Sequence, residues 1–108
     1  MLGLFGDSHQ RLFAKELKER GVKIARSATK EIVAAALTTV PPGQHAHAGT
    51  HGRNIAEDAV LHFAAWTATV VNRTAGRPTR VSAIDPDLYP ETEALLRGIL
   101  VKHGVIAG

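Results

Sequence analysis

The chain has no cysteine in its 108 residues. That excludes a disulfide scaffold, a thiolate zinc site and thiol-based catalysis, and it fits a reducing compartment. It has no uninterrupted apolar run approaching the roughly 20 residues that span a bilayer. The opening segment, Met1 to Asp7, has neither a basic lead nor a long apolar stretch, so it does not read as a signal peptide. Aromatic residues are scarce, with one Trp, one Tyr and three Phe, and none is interleaved with basic residues in the way that stacks single-stranded bases. No phosphate-binding glycine loop is present. These absences point to a cytoplasmic protein with no membrane association, and they lean away from an enzyme.

What is present is a modest excess of positive charge, unevenly placed. Residues 1–40 carry seven basic side chains (Arg11, Lys15, Lys18, Arg20, Lys23, Arg26, Lys30) against four acidic ones (Asp7, Glu16, Glu19, Glu31). Residues 41–108 carry six of each, so the net charge of +3 resides in the first third. Such a bias suits an acidic partner such as nucleic acid. The length is that of one domain, residues 1–108, with a single modest core.

Periodicity predicts four helices. The first opens at Asp7, where Asp7 and Gln10 have capping-box spacing, and buries Phe13 and Leu17. Arg11, Lys15 and Lys18 share its opposite face, Glu16 and Arg20 pair one turn apart, and Gly21 ends it. Ser27 is the expected cap of a second helix running through Ile32, Val33, Ala36, Leu37 and Val40, stopped by Pro41-Pro42. Asn54 caps the longest, Ile55 to about Asn72, whose apolar residues cover half of its circumference. Pro90 opens the last, with Leu95, Leu96, Ile99 and Leu100 facing inward and Gly104 at its end.

Three short alternating segments, Val22–Ala25, Arg80–Ile84 and Val105–Ala107, read as strands. The expected fold class is therefore α+β, mostly α: about four helices with a minor two- or three-stranded sheet in a single compact domain. The segments Leu12 to Val22 and Leu95 to Val105 also match in their apolar and glycine offsets, as a degenerate repeat would.

Polar chemistry concentrates in one loop, residues 41–53, expected to be flexible and solvated. It holds His45, His47 and His51, three of the six histidines. Imidazole nitrogens at this spacing can hold zinc, nickel or copper, with Asp58 or His62 from the following helix completing the shell. The candidate metal site is therefore His45, His47, His51, Asp58 and His62, with a transition metal as the possible cofactor. The His-x-His element resembles the His-x-His-x-Asp-His motif of metallo-β-lactamase-like hydrolases, but the third histidine is one residue further on and the aspartate is missing. Gly6-Asp7-Ser8 resembles the nucleophile block of the SGNH hydrolases, and Gly52-Arg53-Asn54 their Gly-x-Asn element. No Asp-x-x-His block supplies the base, no aspartate follows Asn54, and the chain is about half the usual length for that family.

Two further sites follow from helix faces. Arg11, Lys15 and Lys18, with Lys23 and Arg26 beyond the turn, form a stripe able to follow a phosphate backbone. Read as a helix-turn-helix the register fails, because Leu17 occupies the position that must be small. Ile55, Ala59, Phe63, Trp66 and Val70 line the apolar arc of the longest helix, and four helices of this length leave such an arc for a second subunit to cover. The leading expectation is a small non-enzymatic interaction or regulatory protein, a homo-oligomer self-associating through this helix. The alternatives are a metal-binding protein or small metalloenzyme, and a basic nucleic-acid-associated protein.

Overall fold

The structure is a computed structural model and describes residues 3–45, 47–49, 52–79 and 84–108, without the side chains of residues 3–7 and 42. Four helices, α1 (Gly3–Glu19), α2 (Arg26–Thr38), α3 (Ile55–Thr74) and α4 (Pro90–Lys102), pack around one core. Single turns of 3-10 helix at Pro42–Gln44 and Pro86–Leu88 lie in the connections. No described helix is long and apolar enough to cross a membrane.

The helices are mostly the expected ones, with shifted ends. α1 begins at Gly3, so Asp7 lies inside the helix and not at its cap; the Asp7 side chain is outside the described residues. α2 is preceded by Ala25 with no side-chain cap, and Ser27 is its second residue, its hydroxyl committed elsewhere. At the other end the Thr38 and Thr39 hydroxyls donate to the carbonyls of Ala35 and Ala36, and the helix stops before Val40. Asn54 caps α3 as expected: its side chain accepts from the Glu57 N–H at 2.8 Å and Glu57 accepts from the Asn54 N–H at 3.0 Å. The Glu16–Arg20 pair is also present, at 2.8 Å.

Among the described residues there is no sheet, only a single antiparallel bridge between Ala48 and Asn54. Most of the segment Arg80–Ile84 lies outside the described residues. The other two expected strands fail for a common reason. Gly21 and Gly104 adopt φ of +77° and +71°, which glycine takes cheaply, and the chain then reverses. The N–H of Val22 returns to the Leu17 carbonyl (2.9 Å) and that of Val105 to Leu100 (2.8 Å), the six-to-one bond of a Schellman cap. Val22 and Ile106 are thereby buried against the helix they follow. The alternation marks a folded-back cap, not a ladder. α3 closes the same way, Arg77 N–H to Asn72 carbonyl at 2.8 Å, with no sequence likeness to α1 or α4. The resemblance between the α1 and α4 segments thus reflects a shared cap, and no duplication is needed.

α3 is the centre of the fold, touching α1, α2 and α4. Phe63 to Asn72 is buried without interruption. Thr67 and Thr69 in that run donate to the carbonyls of Phe63 and Ala65 at 2.8 and 2.9 Å, and the Asn72 side chain accepts from Arg77 Nε at 3.0 Å, whereas the buried Trp66 indole N–H has no partner among the described residues. Phe13 and Leu17 of α1, Ile32 and Val33 of α2, and Leu96 and Leu100 of α4 close around it. Burial of each such side chain stabilises by about 1.5–3 kcal/mol. The expected interface residues Phe63, Trp66 and Val70 are therefore core, while Ile55 and Ala59 are half-buried. The C-terminal part of the apolar arc, from Phe63 to Val70, is covered within one chain, and its start at Ile55 and Ala59 is covered in part. Leu95 is the converse case, expected inward and found 49% exposed.

Candidate functional site

The α1–α2 corner gathers the basic residues of the first third. α1 ends in its Schellman cap, the chain turns at Gly21, and α2 begins five residues later at Arg26. Between them lies a cavity of about 590 Å³. Its apolar wall is Ala14, Leu17, Val22 and Ile24, and four cations, Arg11, Lys18, Lys23 and Arg26, stand among the lining residues with Gln10 and Thr29. Among the described residues, none that lines it is acidic. Arg11, Lys18, Lys23 and Arg26 make no ion pair among the described residues. The first backbone amides of α2, whose earliest accepting carbonyl is that of Ala25 for Thr29, add the partial positive charge of a helix start. Lys15, the remaining member of the expected stripe, does not line the cavity.

The histidine loop is built differently. His45 donates from Nε2 to the Val40 carbonyl at 2.9 Å, so this nitrogen is spent on the backbone. His47 is exposed, with its N–H bonded to the Gln44 carbonyl (3.1 Å) and its carbonyl receiving the Ile55 N–H (3.0 Å). His51 is outside the described residues. Asp58 and His62 both line a second, shallower depression of about 310 Å³ with Val40, Ala59 and Phe63. The His62 ring stands edge-on to Trp66, centroids 6.0 Å apart. Among the described residues no three His, Cys, Asp or Glu side chains are placed to hold a metal ion.

Described residues of the loop bond to one another and to the start of α3. The Gly49 N–H donates to the Arg53 carbonyl at 2.7 Å, and a Cβ at Gly49 would collide with the Asp58 carboxylate. Glycine serves here to let the loop close against the start of α3, where the sequence suggests wrapping around an ion.

A third polar group joins α2 to the end of α4 across more than 70 residues of sequence. His103 Nε2 lies 2.8 Å from Glu31 Oε1, and since a carboxylate only accepts, this nitrogen donates. Nδ1 then faces the Ser27 hydroxyl at 3.1 Å. Lys102 Nζ reaches the same Glu31 oxygen at 3.0 Å. The hydrogen bond from His103, then that from Lys102, hold the Glu31 carboxyl below its ordinary value of 4.5. Serine, imidazole and carboxylate stand in the order used for acyl transfer. Here, however, an ammonium shares the carboxylate oxygen, and Ser27 is exposed to water, where preorganised charge counts for little. The group acts as a latch between helices. Sequence spacing gives no signal for it.

Ser8, the residue matching the SGNH nucleophile, lies within α1 and follows no strand. No family model, curated protein or solved structure matches this chain.

Proposed function

We propose that this is a small non-enzymatic binding protein whose α1–α2 cavity takes an anionic small molecule with an apolar body. One observation carries the reading: four cations from two helices and the turn between them, none in an ion pair among the described residues, converge on a cavity with an apolar wall and no acidic side chain among its described lining residues. The cations favour a carboxylate or phosphate head group, which guanidinium binds through two parallel hydrogen bonds. Ala14, Leu17, Val22 and Ile24 favour a hydrocarbon or ring attached to that head. The volume lies in the range of about 300–1,000 Å³ usual for small-molecule sites. A phosphodiester backbone would use the cations but leave the apolar wall unoccupied, and it would call on Lys15, which stands apart from the cavity.

Dodecyl phosphate and dodecanoate are suitable probes, with binding followed by calorimetry. The expected result is micromolar binding that falls at least about tenfold, 1.4 kcal/mol, in Arg11→Glu/Arg26→Glu and is unchanged in His45→Ala/His47→Ala. Equal binding by the charge-reversed protein would defeat the reading. Preferential binding of a single-stranded oligonucleotide, with a log–log salt slope of about −0.7 per phosphate contacted, would replace it with the nucleic-acid alternative.

A further inference from the structure

We propose that two copies of this chain pair through the outer face of α4, antiparallel about a twofold axis near the helix midpoint. Glu91, Leu95, Gly98 and Lys102 are all exposed and follow one another at i, i+4, i+7 and i+11. That spacing aligns them along one side of the helix. It is also the same read in reverse. When a second α4 runs antiparallel with its Gly98 opposite Leu95, the partner's Leu95 meets Gly98 in turn. The same register brings Glu91 of each copy opposite Lys102 of the other. Each contact is thus made twice, as a twofold interface requires. A large apolar side chain meets the residue with no side chain, and each negative charge meets a positive one.

Two observations favour a second copy as the occupant. Glycine is among the least favourable residues in a helix interior, and no described residue approaches the position where a Cβ at Gly98 would stand. Packing inside the monomer therefore does not account for it, whereas close approach of another helix does. The charges are complementary to this face itself, which an unrelated partner would have no reason to match. Leu95 is 49% exposed and Val101, beside the line, 39% exposed, so apolar area is open there. The Lys102 side chain is 64% exposed despite its pair with Glu31, and an ammonium has donors to spare. The contact is confined to one helix of 13 residues, about 20 Å long, so the dimer is a weak one, formed at micromolar to millimolar concentration. It is independent of the α1–α2 cavity.

Sedimentation equilibrium over that range tests the pairing. The wild type should show a reversible monomer–dimer equilibrium, and Leu95→Lys should remain monomeric. Glu91→Lys alone and Lys102→Glu alone should each weaken self-association at least about tenfold, since like charges then face each other at both ends. An equimolar mixture of these two variants should recover dimer, because only the mixed pair restores opposite charges at both ends. A protein that stays monomeric to millimolar concentration overturns the proposal. So does a dimer that survives both single charge reversals, or a mixture that associates no better than its components.

Discussion

The histidine loop and the α1–α2 corner are the two places where the sequence crowds together side chains of one kind, and they end differently. In the loop, residues close in sequence are dispersed: His45 turns to a backbone carbonyl, His47 to the surface, and their backbone groups close the turn onto α3. In the corner, cations spread over sixteen positions from Arg11 to Arg26 are gathered around one cavity. Helical periodicity brings Arg11 and Lys18 to one side of α1, and the reversal at Gly21 adds Lys23 and Arg26. Proximity along a chain is a poor guide to proximity in space unless a regular element carries it.

The comparison can be broken by stability measurements. The largest effect is expected at Leu17, which is both core and cavity wall. Leu17→Ala should cost about 2–5 kcal/mol in urea unfolding, whereas His47→Ala should stay within about 0.5 kcal/mol as a surface change. Equal costs would mean that the loop bears more of the fold than its exposure allows. An intermediate effect is expected where the loop joins α3. Asn54→Ala removes one half of the capping box and should cost roughly 1 kcal/mol, while leaving dodecyl phosphate binding at the corner unchanged. Lost binding would show that the two regions are coupled.

The smallest effect concerns the latch beside the corner. The Glu31 carboxyl is held below its ordinary value chiefly by the His103 hydrogen bond. A carboxyl whose folded pKa is lowered stabilises the fold above its unfolded pKa and loses that contribution as pH falls through the folded value. Glu31→Gln should therefore melt slightly below the wild type at neutral pH, and the two curves should merge as the pH drops below about 4.5. A gap that persists in acid would assign the loss to packing and not to charge.

Much of the fold was legible in the sequence, for identifiable reasons. Asn54, Gly21, Pro90 and Gly104 mark helix ends through chemistry that acts within a few residues, and the structure keeps all four. The missing sheet at Val22–Ala25 and Val105–Ala107 is a failure of the same local kind. An alternating apolar segment after a glycine can pair with a strand or fold back on its own helix, and only tertiary contact decides. The burial of Trp66 and Val70 could not be read from their helix alone, because the same arc suits a core or an interface. The basic residues of the candidate site were all visible, but their convergence depends on the angle of the turn. The latch of Ser27, Glu31 and His103 depends on how α4 docks, which no spacing encodes.

The uninterrupted burial of Phe63 to Asn72 has a consequence for how the molecule opens. Fraying and partial openings release amide hydrogens at helix ends and surface turns without disturbing the centre. The amides of this stretch have no such route, since α1, α2 and α4 each cover part of the helix. Their exchange with deuterium therefore waits for the whole chain to unfold. The slowest protons of α3 serve as a built-in gauge of global stability, read in the native protein without denaturant.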